Sequence, residues 1–586
     1  MQLRAVKYYV DCGSVLGKTD VSGNIWQGDL LLVSNGVIQG VQSSNTDSDP
    51  ILDTLRVFTT GNKNCYNFVS NKGERVLVRA SFNYGNYDNK SSPPTFDLQF
   101  DGNFWTTVKT SIDKVVTYEV SYVVKRDVIS VCVAQTKSDQ FPFISALEVL
   151  SMDSDIYRSA DSNYALLLKS RVAYGADAII SYVYNNVLIF TASNKLSPTD
   201  YDRIWTPAVL GRGQINFTDD SLNFAVTGLP IEVLQNAVTT ASTSDNLILA
   251  SGFPSNVVSV YISMYFSEPT QVTGERSFVI YVDNQDKSAS NIVPPYNDVK
   301  HQTGTVDVLS NSTLALVATT GSELPPLINA MKLFYVSKDQ LTNGTHADDL
   351  EALGLLQTLY PVLQYYSDPC LPATFTWDWV ECNNDATPRV TALHLDSYYL
   401  TGALPDLSSM TGLKTIDMQN NSFTGVIPDY FGTLPHLKEL NLADNQLSGS
   451  IPSSISENKN IKLNYSVTGN SDLCTSGKCE DATTTTTTNT DTPGFPTLTG
   501  SPSTGKKKKK TPLILGTTIP SFLLVSAFVS FLAWVLHKRK RTSVASAHHA
   551  ASGQGGKIGE AVINEMKVNI ENQVIDEASD VINQHS

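Results

Sequence analysis

LHLDSYYLTGALPD (393–406), IDMQNNSFTGVIPD (416–429) and LNLADNQLSGSIPS (440–453) are one phrase repeated three times. Leu395, Met418 and Leu442 lie 23 and 24 residues apart, and so do Gly402, Gly425 and Gly449, and Pro405, Pro428 and Pro452. A unit of this length cannot bury its apolar side alone, so copies must stack into a coil-upon-coil solenoid. The apolar residues of each phrase point inward from a short strand. Asn421 and Asn445 are expected to turn inward too, satisfying backbone groups between coils; Tyr398 holds that position in the first coil. IKLNYSVTGN (461–470) reads as a degenerate fourth coil.

The pattern is that of leucine-rich repeats. A stack has two open ends, and each needs a cover. SDPCLPATFTWDWVEC (367–382) precedes the first coil, with Cys370 and Cys382 twelve positions apart and two of the six tryptophans, Trp377 and Trp379, between them. Cys474 and Cys479 follow the last coil. Both pairs are expected to be local disulfides closing the ends. Residues 346–389 are assigned to a linker and N-terminal cap, and 390–480 to the repeats with a C-terminal cap.

The cysteines bear on the compartment. All seven precede residue 480, and none has zinc-site spacing. Cys12, Cys65 and Cys132 are left, an odd number that the sequence does not pair. Six glycosylation sequons, at Asn89, Asn216, Asn311, Asn343, Asn420 and Asn464, fall in the same region, which favours an extracellular or lumenal setting. A net charge of −15 argues against a nucleic-acid partner, which would need a basic face.

Beyond the repeats the character changes. Residues 481–512 are rich in Thr, Ser, Pro and Lys, and bury too little apolar area to fold; they read as a stalk. LILGTTIPSFLLVSAFVSFLAWVL (513–536) has 24 residues and no charge, enough to span a bilayer as one helix. Lysines 506–510 and the basic run 537–541 flank it on both sides, so charge does not orient it. The sequons and cysteines do, placing residues 1–510 outside and 537–586 inside. MQLRAVKYYVDCGS lacks a signal-peptide run, so an incomplete N-terminus is expected. Within the tail, Val562, Met566, Ile570 and Val574 recur every four residues, as in an amphipathic helix.

The first 340 residues look all-β. RVLVRASF (75–82) and TFDLQF (95–100) carry strand patterning, and Asn, Gly, Ser and Pro clusters separate such runs. A duplication shows through. PFISALEV (142–149) matches PLINAMKL (326–333) at a spacing of 184, and FDLQFD (96–101) matches FVIYVD (278–283) at 182. Two tandem β-sandwich modules follow, 1–180 and 181–345.

YYVDCGS (8–14), YGNYD (84–88), PFISALEV, YDRIWTP (201–207) and LPPLINAMKLFYV (324–336) together resemble the tandem malectin-like ectodomain of plant receptors. With SDPC and the repeats, the whole order resembles malectin-like leucine-rich-repeat receptors. Their junction usually reads GDPC, where this chain has Ser367. That junction is implicated in cleavage within the family. Residues 537–586 contain no HRD and no DFG, so the resemblance is to receptor-like proteins without a kinase. The expected architecture is therefore tandem all-β malectin-like sandwiches, a short leucine-rich-repeat solenoid, one transmembrane α-helix and a short tail.

No HExxH, GxSxG or dinucleotide fingerprint occurs, so no catalytic residue, metal site or cofactor is expected. Malectin proper binds carbohydrate, and the resemblance makes sugar the first ligand to consider. Tyr84, Asn86, Tyr87 and Asp88 combine rings with hydrogen-bonding groups on one loop, and are the candidate ligand contacts. The alternative for that loop is a tyrosine-rich turn with one ring packed on the sandwich. The expected protein is a single-pass plasma-membrane receptor. It would bind cell-wall carbohydrate or a secreted peptide outside and act through a co-receptor kinase. The alternatives are an adhesion protein linking wall to membrane, or a carbohydrate-active enzyme.

Overall fold

Strand alternation builds the first two-thirds of the chain. In Arg75–Phe82, Val76, Val78, Ala80 and Phe82 enter one apolar core while Leu77 and Arg79 face the other way. The period of two thus gives the sheet two buried faces. The computed structural model describes residues 6–474 apart from 21–22, 34, 43–49, 154–155, 182–203, 209–213, 219–228, 364–366 and 458–462. The expected stalk, span and tail, and Cys479, lie outside the described residues. Among the described residues no helix is long and apolar enough to cross a membrane.

One sheet runs through both β-modules. Its order is Lys18–Thr19, Ile25–Gly28, Lys7–Asp11, Ala146–Ser151, Arg75–Phe82, Val116–Val123, Leu166–Ala173, Ala330–Val336, Val258–Phe266 and Lys300–Val308. The modules are therefore fused edge to edge. Leu166–Ala173 makes the join: it pairs with Val116–Val123 on one side and Ala330–Val336 on the other. It also pairs parallel with Ile204–Pro207, just as Lys7–Asp11 pairs antiparallel with Ala146–Ser151 and parallel with Ile25–Gly28. Leu166–Ala173 thus holds in the second half the place of Lys7–Asp11 in the first, although the expected division at 180/181 leaves it in the first module.

Each half adds its own second sheet. In the first, Lys63–Val69, Val128–Ala134, Thr95–Phe100 and Asn103–Lys109 close over a core of Phe82, Phe96, Phe100, Tyr122 and Ile129. In the second, Leu247–Ala250, Leu314–Ala318, Phe278–Val282 and Gln285–Asp286 close over a separate core with Phe266, Phe278 and Leu316. The duplicated phrases occupy equivalent places: Phe143–Ile144 with Ala146–Ser151, and Leu327–Ile328 with Ala330–Val336. A buried side chain recurs with them. Ser145 Oγ accepts the amide of Asn83 at 3.0 Å, and Asn329 Oδ1 accepts that of Ser267 at 2.7 Å.

The helix Ala347–Leu359 leads into the solenoid. Its coils contribute the parallel strands Val390–His394, Thr415–Asp417, Glu439–Asn441 and Asn464–Ser466. Asn421 Nδ2 donates to Leu395 O at 2.8 Å, and its Oδ1 accepts the amide of Leu400 at 2.9 Å. Asn445 and Asn470 repeat this geometry, so the fourth coil keeps the ladder although its leucines have drifted. Trp377 and Trp379 are buried with Leu393 and Leu395, at the start of the stack. Cys370 bonds Cys382, and Cys474 is disulfide-bonded. Of the three cysteines left open, Cys65 bonds Cys132 and Cys12 is a buried thiol.

Candidate functional site

The candidate loop leaves the strand Arg75–Phe82 and doubles back. Gly85 has φ +46° and a Cβ there would lie 2.4 Å from Val41 Cβ, so only glycine lets the turn pass so close. Tyr84 is fully buried, edge-on to Tyr87 with ring centroids 5.5 Å apart; Tyr87 in turn packs on Phe143. The Tyr84 hydroxyl donates to Asp88 Oδ1 at 2.6 Å and accepts the amide of Ser92 at 3.2 Å. Burial first, then the Asp88 carboxylate, pushes the Tyr84 phenol up to about 12. Asn86 Oδ1 accepts the amide of Ser91 at 2.8 Å, and its amide group donates to Gln42 at 3.2 Å.

The four expected residues are brought together, but chiefly to hold the loop itself. Tyr84 belongs to the core, and Asp88 and Asn86 are occupied in tying down the turn. The half-buried Tyr87, Asn86 and Asp88 are the part of the set that reaches the surface. Of the two rings, Tyr84 is the one packed fully into the sandwich, and Tyr87 keeps part of its surface exposed. Of the six sequons, Asn89, Asn311, Asn343, Asn420 and Asn464 have exposed side chains, and Asn216 lies in the strand Gln214–Thr218.

Sequence reasoning missed a charged row beneath the fused sheet. Glu148, Arg79, Glu119, Arg171 and Lys332 sit on neighbouring strands, on the face away from both sandwich cores, and all are buried. Arg79 reaches Glu119 at 2.8 Å and Glu148 at 3.0 Å, and Arg171 reaches Glu119 at 2.5 Å. Burial disfavours the Glu119 carboxylate, but Arg171 and Arg79 outweigh it and hold its pKa below the usual range. Beyond Arg171, the Lys332 ammonium stands 5.5 Å from the Tyr157 ring centre, 5.7 Å from Trp205 and 5.3 Å from Tyr265. The signal was present: each of the five apolar strand runs has a charged residue inside it, Glu148, Arg79, Glu119, Arg171 and Lys332.

A second missed site is the junction. Asp368, of the SDPC turn, is 4% exposed and gathers contacts from both bodies. Its Oδ1 accepts the amides of Cys370 and Leu371 at 3.0 Å and the Thr345 hydroxyl at 2.5 Å. Its Oδ2 accepts the Thr345 amide at 2.9 Å and meets Arg126 Nη1 at 3.0 Å. Ser367 Oγ, at the position that departs from GDPC, accepts Trp377 Nε1 at 3.2 Å.

Residues 10–336 match the malectin-like domain family, and residues 388–461 match the leucine-rich-repeat family. An uncharacterized protein of Arabidopsis thaliana is 33% identical over 358 residues, covering 59% of this chain and 68% of that protein. Another Arabidopsis protein, named as a probable LRR receptor-like serine/threonine-protein kinase, is 29% identical over 425 residues, covering 70% of this chain and 47% of its own length. The chain spans about half the length of the receptor-kinase relatives it matches. Among solved structures, the Arabidopsis ANXUR1 extracellular domain aligns with a TM-score of 0.47 at 15% identity, covering 57% of this chain and 97% of that one.

Proposed function

The chain belongs to the malectin-like family, with leucine-rich repeats following, and on that premise we propose that it is a single-pass cell-surface receptor-like protein. Residues 1–510 lie outside, with 1–340 binding a cell-wall carbohydrate or a secreted peptide, 513–536 cross the plasma membrane, and the tail engages a partner kinase. Its work is binding rather than catalysis. The observation that carries this reading is the pairing of a fused malectin-like body with a capped repeat stack in one compact unit, stapled by disulfides that an oxidising compartment permits. The five exposed sequon asparagines support the same side of the membrane.

The test is direct. The purified ectodomain is applied to an array of wall oligosaccharides and, separately, to a secreted-peptide library. Saturable binding to either supports the proposal. Binding to neither, by protein whose disulfides are intact, defeats the ligand-sensing part. Deleting 542–586 separates signalling from adhesion: a receptor loses its downstream response, whereas a wall-to-membrane linker keeps its full effect.

A further inference from the structure

Between the first β-body and the repeat cap lies a surface that is buried but poorly satisfied. On the outer side of the sheet Lys63–Val69, Val128–Ala134, Thr95–Phe100, cross-strand rows run Lys63–Ala134–Asp97, Cys65–Cys132–Gln99 and Asn67–Ser130. The first row reaches the cap through Lys63, whose ammonium donates to the carbonyls of Asp368 at 3.1 Å and Leu371 at 3.0 Å. The last row lines a cleft of about 250 Å³ with Arg126, Val128, Leu350, Ser367 and Asp368. The middle row therefore lies under the cap, and its disulfide and Gln99 are buried. Neither Gln99 amide atom, nor Asn67 Oδ1, meets a partner among the described residues.

The apolar cores do not merge here. One cluster ends with Leu341, and the repeat cluster begins with Ala352 and takes in Leu371. The contact is polar, borders an open cleft, and leaves the Gln99 amide and Asn67 Oδ1 without a hydrogen-bond partner among the described residues, which water would relieve on opening. Interfaces of that kind permit relative domain motion.

The chain crosses between the bodies at one point. Thr342 is tied to the β-body, its amide donating to Asn103 Oδ1 at 3.0 Å. Thr345 is tied to the cap by both bonds to Asp368, and the next amide, of His346, donates to Pro388 O at 3.0 Å. Between them stand exposed Asn343 and buried Gly344, the latter at φ +84° and packed against Arg126 and Asp368. Of the hydrogen bonds around Asp368, those from Thr345, Cys370 and Leu371 stay within the cap. Those from Arg126 and Lys63 cross the boundary.

We propose that Asn343–Gly344 is a hinge and that Arg126 and Lys63 form a latch on the 368–371 turn. When it releases, the tandem β-body swings off the repeat cap without unfolding and uncovers the Cys65–Cys132 face.

The buried disulfide reports the opening. The intact ectodomain is treated with a small water-soluble phosphine, quenched by alkylation and read by mass spectrometry at each cysteine. The double variant Lys63→Met/Arg126→Gln should expose Cys65–Cys132 to reduction at least tenfold faster than wild type, with the β-body melting temperature unchanged and Cys370–Cys382 reduced at the wild-type rate. Equal rates in variant and wild type would overturn the latch. A second measurement needs no variant. In wild type, the reduction rate of Cys65–Cys132 should be nearly flat in sub-denaturing urea, because opening exposes little surface. A rate that climbs with the slope of global unfolding would overturn the hinge.

Discussion

The hydroxyl of Tyr84 donates to Asp88 at 2.6 Å from a ring with no exposure, so two residues of the candidate loop spend their polarity on each other. Tyr84→Phe removes that donor and the acceptor of the Ser92 amide. The expected loss is about 1–2 kcal/mol of stability. Urea denaturation of the ectodomain, with unchanged slope and a lowered midpoint, checks it.

Tyr87 separates packing from binding in the same loop. It is half-buried against Phe143 and reaches the surface beside Asn86. If the loop contacts ligand, Tyr87→Ala should weaken binding at least fivefold, while Tyr84→Phe leaves affinity near wild type. Calorimetry with whichever ligand the arrays return decides it. Equal affinities for wild type and Tyr87→Ala would remove the loop from the binding surface.

Asn445 ties three backbone segments together. Its Oδ1 accepts the amide of Phe423 at 3.0 Å, and its Nδ2 donates to Met418 O at 2.9 Å and Ala443 O at 3.1 Å. Asn445→Ala leaves a buried amide and a buried carbonyl without partners, for a loss of about 3 kcal/mol. The exposed neighbour Gln446→Ala should change stability by less than about 0.5 kcal/mol. Paired melts of the two variants test the ladder.

Much of this was legible in the sequence because the repeats carry their own register. The 23–24-residue period fixes which residues enter the stack, and Asn421 and Asn445 mark the inter-coil bonds; the cysteines and tryptophans at its start announce a cap. The fused sheet was not legible. Pairing Leu166–Ala173 with Ala330–Val336 joins residues more than 150 positions apart, and alternation within a strand says nothing about its neighbour. Tyr84 was ambiguous for a related reason: a loop has no period to say which ring points inward. The Asp368 junction depends on Lys63, which lies 305 residues upstream.

Asp101 gives the junction a pH dependence. It is buried, accepts the Ser130 amide at 2.7 Å and the Tyr122 hydroxyl at 2.8 Å, and faces Arg126 and Asp368. Burial lifts its pKa to about 6, against the opposing pull of Ser130, Tyr122 and Arg126. An unfolded aspartate titrates near 3.9, so the folded state holds the extra proton between those values. The resulting stabilisation is full below about pH 4 and is lost as pH rises through about 6. Wild type should therefore lose up to about 3 kcal/mol relative to Asp101→Asn between pH 4 and pH 7. Lys63, lowered by burial to about 8, acts in another window: its contribution is present above about 10.5 and lost as pH falls through about 8. Urea midpoints at half-unit pH steps resolve the two. A wild-type minus Asp101→Asn difference that is flat from pH 4 to 7 would show that Asp101 is ordinary.

The charged row beneath the fused sheet makes the sharpest energetic case. Arg79 is shared by Glu119, through Nε at 3.1 Å and Nη2 at 2.8 Å, and by Glu148, through Nη1 at 3.0 Å. Taking these ions out of water is costly, so the row need not add net stability over an apolar one; removing one member, however, leaves charge behind in a buried site. Arg79→Met should therefore cost about 3–5 kcal/mol. Arg79→Lys keeps the charge but cannot span both carboxylates with a planar fork, so it should recover only part of that loss. Burial shields the row from counterions, so the penalty should be the same in 0.05 M and 0.5 M salt, unlike that of an exposed pair. If the loss shrank severalfold in high salt, the row would be solvated rather than shielded by burial.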